Sequence, residues 1–139
     1  MIEFSGMDII VQHRVADDRV RRALAEALHV PAERVALIDD SCHCPKARES
    51  DVVCVCSLVE GEFTYLLSIQ IEWVILPYDN NVQLMQRLCE VLGVQYLAPD
   101  DDDVDPYMMW LVSPEVVPSK VGLDPVAFDE DRYVISRRV

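Results

Sequence analysis

Glycine is scarce in this chain, four residues in 139, and so are histidine, three residues, and aromatic side chains, 7%. So few glycines exclude the phosphate-cradling loops of nucleotide sites, which need backbone free of Cβ atoms. No dinucleotide fingerprint, Gly-x-Ser-x-Gly elbow or His-Glu-x-x-His helix occurs. Basic residues run out as well: none lies between Arg48 and Arg87, and only Arg87, Lys120, Arg132, Arg137 and Arg138 follow Arg48. Holding phosphates takes Lys and Arg, so neither nucleic acid nor an anionic membrane is expected as a partner. The longest nearly apolar run, residues 52–59, is too short to cross a bilayer, which takes about 20 residues. No basic stretch followed by an apolar one opens the chain, so no export signal is expected and the protein reads as cytoplasmic. Its five cysteines cannot all pair internally and are expected as reduced thiols.

What the chain has in excess is carboxylate. The formal net charge is −13, and it is unevenly placed. Residues 1–48 carry eight acids and seven bases, whereas residues 49–139 carry 17 acids and five bases. Such a field attracts a cationic partner. Apolar residues make up 51%, so the acids decorate a folded domain with a real core rather than a disordered tail.

The order of elements predicts an α+β fold. A first strand is expected over residues 8–15. A helix follows, capped by Asp17 or Asp18, whose Val20, Ala23, Leu24, Ala27 and Leu28 recur on one face and which Pro31 stops. A second strand covers residues 34–38 and a polar loop residues 39–51. Two apolar runs, 52–59 and 63–75, flank Glu60-Gly61-Glu62 and read as an antiparallel hairpin with the acids at its tip. A second helix starts near Asp79-Asn80-Asn81, buries Val82, Met85, Leu88, Cys89 and Leu92, and ends at Gly93. Strands over 94–97 and 107–112 bracket an Asp-rich loop. Residues 113–125, with three prolines, are expected as extended loop, and 133–135 as a final edge strand. The expected architecture is a single domain over residues 1–139, a largely antiparallel sheet with two helices packed on one face.

Chemistry-bearing patterns are sparse. Cys42-His43-Cys44 and Cys54-Val55-Cys56 form two close pairs. One residue between cysteines is short for structural zinc, so Cys54 and Cys56 read as small core residues and Cys42 and Cys44 as loop thiols. A zinc module or small enzyme built on residues 42–56 is the alternative. Asp101, Asp103 and Asp105 match the first ligand positions of an EF-hand loop, but Pro106 falls where the turn needs Gly and Val112 where the bidentate Glu belongs, which rejects that motif. No catalytic residue, metal or cofactor is assigned.

Size, the acidic excess over residues 49–139, the Glu60-Gly61-Glu62 tip and the Asp-rich loop together give a chain that resembles the small acidic immunity proteins that bacteria encode beside polymorphic or contact-dependent growth-inhibition toxins. The resemblance covers overall character and aligns no residues. It implies a non-catalytic, cytoplasmic protein in a one-to-one complex with a cognate cationic toxin domain, often a nuclease, whose active or substrate-binding surface it covers. On that reading the first expected contact surface is Asp100, Asp101, Asp102, Asp103 and Asp105. Asp129, Glu130 and Asp131 are the second, and Glu60 and Glu62 the third. Tyr107 is the aromatic anchor beside the loop.

Overall fold

A computed structural model describes residues 1–39 and 50–139. Its first strand, β1 (Ile2–Val11), starts earlier and stops sooner than its β-branched core alone predicts, and it lies in the middle of the sheet. Helix α1 (Asp17–Leu28) follows and buries the predicted stripe Val20, Ala23, Leu24, Ala27 and Leu28. Its cap differs from expectation. Ala16 holds the N-cap position with no side-chain bond, and Asp17 and Asp18 fall inside the first turn, where they complement the helix dipole and Asp18 pairs with Arg21 at 3.4 Å. Beyond Pro31, a single 3₁₀ turn (Ala32–Arg34) leads into β2 (Val35–Asp39). Of the predicted polar loop, residues 40–49 lie outside the described residues.

The hairpin is β3 (Val52–Leu58) against β5 (Tyr65–Leu76), paired in antiparallel from Val52–Ile71 to Leu58–Tyr65. Between them Glu60–Gly61 forms the short strand β4. Helix α2 (Asn81–Leu92) begins as its sequence predicts, the Asn80 side chain accepting from the Gln83 amide at 3.0 Å. Leu84 replaces Val82 on the buried face. Strands β6 (Tyr96–Pro99), β7 (Met108–Ser113) and β8 (Val116–Leu123) come next, then α3 (Pro125–Asp129), β9 (Arg132–Tyr133) and β10 (Ile135–Arg138).

Strand β8 corrects the extended loop expected over 113–125. Each proline there sits where no ladder donor is needed. Pro114 is in the β7–β8 turn. Pro118 lies at the register break between the pairs Leu111–Ser119 and Ser113–Val116, outside the stretch that β10 pairs. Pro125 opens α3, whose first turn the Asp124 carboxylate caps at Val126 N, 3.1 Å away.

Among the described residues, eight strands form one sheet in the order β10-β8-β7-β6-β1-β5-β3-β2, antiparallel throughout except for β2 with β3. Helices α1 and α2 cover one face, packing Leu24, Leu28, Leu84, Leu88 and Leu92 onto Ile9, Val11, Leu67 and Ile69. Burying one such side chain contributes about 1.5–3 kcal/mol, so this layer dominates the stability. Tyr78 Oη donates to Ala27 O at 2.6 Å, and Tyr96 Oη donates to Met85 O, tying each helix to the rest by a buried or half-buried hydroxyl. Helix α3 packs on the opposite face over a smaller cluster of Ile10, Phe63, Leu97, Met109, Leu111, Val121 and Leu123. The α+β class and the two-helix layer agree with the sequence; the third short helix, on the other face, does not appear in it. No helix among the described residues is long and apolar enough to cross a membrane.

Candidate partner-binding surface

The predicted tip does not stand free. Glu60–Gly61 pairs in parallel with Arg132–Tyr133, 72 residues on, to make a small two-stranded sheet. Gly61 makes this possible: its φ is +114°, and a Cβ there would lie 2.5 Å from both N and O of Tyr133. Glu62 closes the junction, its amide donating to Tyr133 O at 2.8 Å and its Oε1 accepting from the Ile135 amide at 2.8 Å. Glu62 is therefore a structural acceptor. Glu60 remains exposed.

This pairing brings the second and third predicted acidic patches together. After α3 the chain turns at Asp131, whose φ of +59° suits Asp better than most side chains. The turn is fixed by the amides of Glu130 and Asp131, which donate to Ala127 O and Phe128 O at 3.0 Å each. Glu60, Glu130 and Asp131 then line one shallow groove of about 490 Å³ together with Leu58, Val59, Leu66 and Tyr133. Leu58 is 73% exposed, so the groove presents a large aliphatic side chain to solvent beside its acids. Glu130 pairs with Arg132 at 2.8 Å in a solvated contact of little energetic weight. Burial, then Asp131 and Asp8, pushes the Tyr133 hydroxyl above its ordinary pKa, so it stays a neutral donor. Tyr133 meets Phe128 edge-on at 5.9 Å, and Phe128 meets Tyr107 edge-on at 5.7 Å. This aromatic ladder holds α3, and Tyr107 forms its half-buried end. Asp129 is exposed at the end of α3.

The Asp-rich loop divides. Asp100, 9% exposed at its side chain, pairs with Lys120 Nζ, and Asp103 pairs with the same nitrogen at 2.9 Å. Arg137 pairs with Asp105 at 3.1 Å. The same carboxylates also order the loop backbone: Asp100 accepts from the Asp102 amide at 3.1 Å, Asp103 from Asp105 at 2.9 Å, and Asp105 from Tyr107 at 2.9 Å. Lys120 is held from behind by Trp110, its Nζ 5.2 Å from the ring centroid. Asp101 and Asp102 are left as the outward-facing acids.

These contacts set a pH dependence. The Asp105 backbone N–H and then Lys120 hold the Asp103 carboxyl below its usual range. Asp100 and then Asp103 raise the Lys120 amine. A depressed carboxyl contributes stability above its unfolded pKa and loses it as the pH falls through the folded value. A raised amine contributes below its unfolded pKa and loses it as the pH rises through the folded value. The cluster is thus complete at neutral pH. We expect Lys120→Met to lower the denaturation midpoint at neutral pH, and the gap to the parent protein to close on acidification below about pH 4, where carboxyls ordinarily titrate. Denaturant melts across pH measure it, and a gap that persists unchanged in acid would rule the pairing out.

Sequence reasoning did not single out the exposed apolar side chains of β3 and β5, among them Leu58 and Trp73, the latter 60% exposed with its Nε1 donating to Glu3 at 3.4 Å. Of the zinc alternative, Cys42, His43 and Cys44 lie outside the described residues. Cys54 is buried and Cys56 half-buried. Among the described residues no group of three His, Cys, Asp or Glu side chains could hold a metal ion. No protein-family model, curated protein or solved structure matches this chain.

Proposed function

We propose that this protein is a non-catalytic acidic inhibitor, an immunity protein that neutralises a cognate cationic toxin domain of nuclease type by covering its active or substrate-binding surface in a one-to-one complex. It acts in the cytoplasm and engages neither nucleic acid nor membrane. The observation that carries this reading is the meeting of Glu60 with Glu130 and Asp131 around exposed Leu58. An apolar centre inside a charged rim is how protein interfaces concentrate their energy. The charge sign selects the partner, because a nuclease must present Lys and Arg to hold phosphate. The chain's overall charge of −13 steers the encounter.

The test is genetic and biochemical together. The neighbouring reading frames are searched for one that ends in a compact basic domain, and that domain is expressed alone and with this protein. Growth arrest by the domain, relief on co-expression and a one-to-one complex on a sizing column are the expected results. A toxic basic domain that this protein neither binds nor neutralises would overturn the proposal.

A further inference from the structure

On one flank β1 pairs with β5 from Ile2 to Val11, with the bulge opposite Ser5. On the other flank β6 meets it only at Ile10–Leu97 and Val11–Tyr96. Continued, that register would set Asp8 against Pro99. The Gln12 amide donates to Gln95 O at 3.1 Å, so the even positions of β1 here turn their backbone groups toward β6. Asp8 would need the N–H that Pro99 lacks, and the ladder ends there. The chain after β6 runs into the Asp-rich loop instead. Among the described residues no backbone bond takes up this flank of β1 from Ile2 to Asp8. The sheet is thus split at its centre.

The split is a crevice. Two hollows of about 440 and 170 Å³ lie between β1, the start of α2 and the loop after β6, and Glu3, Asn81, Met85, Pro99 and Asp101 line both of them. Phe4, Gly6 and Met7 of β1 border the smaller one, and Asp102 and Trp110 the larger. No Lys or Arg lines either. Of the acids, Asp100 is held by Lys120. Glu3, Asp101 and Asp102 are exposed, and among the described residues none of them pairs with a cation. An open strand edge and uncompensated carboxylates therefore share one cleft.

The geometry points to this crevice as a docking site for an extended, Lys- and Arg-rich segment of a partner protein, which adds to β1 as a strand. The unpaired flank offers backbone donors and acceptors over about 20 Å, the length of a six-residue strand. An uncovered edge is a template for such pairing, and its backbone bonds supply affinity without regard to side chain. Selection comes from charge. Glu3, Asp101 and Asp102 favour a basic guest and oppose an acidic one. The net charge of −13 likewise sets a second copy of this chain against itself at that edge. The site is separate from the groove of Glu60 and Glu130, and its test needs no toxin.

The probe is a fluorescent hexapeptide of alternating Lys and Val. Its binding to the full-length protein is read by anisotropy, and backbone amide exchange by NMR. The Lys/Val peptide should bind about tenfold more tightly than an equally charged Lys/Pro peptide, which cannot form a ladder, and a Glu/Val peptide should not bind. At saturation the Asp8 amide should exchange about tenfold more slowly. Asp101→Asn with Asp102→Asn should weaken the Lys/Val peptide by about fivefold. Glu33→Gln with Glu115→Gln removes the same charge at exposed positions that line neither hollow, and should leave binding within about twofold. Failure of the Lys/Val peptide to bind, or binding that leaves Asp8 exchange unchanged, would overturn the proposal. So would equal affinity for the Lys/Pro peptide, equal weakening by both pairs of variants, or a dimer that protects Asp8 without peptide.

Discussion

Replacing Gly6 by alanine is expected to destabilise the fold by about 3 kcal/mol or more, the joint cost of a strained backbone and of overpacking. Gly6 has φ +131°, and a Cβ there would stand 2.4 Å from the carbonyl oxygen of Ile69. The strain arises because β1 and β5 do not stay in step. Phe4 faces Val74 but Gly6 faces Gln70, so β5 passes three residues, Ile71 to Trp73, where β1 passes one. The close approach at Gly6 lets the two strands re-engage after this bulge. Neither neighbour can give way, since the clashing atom is backbone in the central strand pair. Denaturant unfolding measures the effect, with exposed Ser5→Ala as the control expected within about 0.5 kcal/mol of the parent. A Gly6→Ala midpoint as close to the parent as that control would contradict the account.

The second large effect concerns partner association. Reversing Glu60 and Glu130 together to Lys is expected to slow association with the toxin domain by about ten- to a thousandfold at low ionic strength, and to flatten its salt dependence. Asp131 is left in place because its positive φ would strain most replacements. The Glu130–Arg132 pair that is lost is solvated and contributes little to stability, so the readout is electrostatic. Reversal of Asp101 and Asp102 is the comparison, because these are the outward acids of the other patch. Stopped-flow mixing across salt decides between them. If the loop reversal slows the encounter and the groove reversal does not, the docking surface is the loop.

Helices α1 and α2 were legible because their burial has a short period. The stripe from Val20 to Leu28 spells one face of α1, and Asn80 and Gly93 bracket α2. The β3–β5 hairpin was legible because it closes locally around a glycine. What escaped was set at a distance. Nothing near residue 60 announces that Glu60–Gly61 will pair with Arg132–Tyr133, yet that pairing builds the groove. Alternation along β5 places Leu67, Ile69 and Ile71 with Trp73 and Ile75; the bulge reverses the order, so Val74 and Leu76 turn to the core while Trp73 and Ile75 face water. Composition promised five carboxylates in the loop between β6 and β7. Lys120 and Arg137, two of the few bases in that part of the chain, bind three of them, and the acidic face shrinks to Asp101 and Asp102.

The position of β1 has a consequence for folding. The strand occupies the middle of the sheet, and its partners are Tyr65–Leu76 on one side and Tyr96–Pro99 on the other. Ile9, Ile10 and Val11 meet Leu67, Leu66 and Tyr65, more than fifty residues further along the chain, before either flank of the strand is covered. Loops of that length must close before the centre of the sheet exists, so its assembly is slow, and the apolar central strand is the stretch open to aggregation until it is complete.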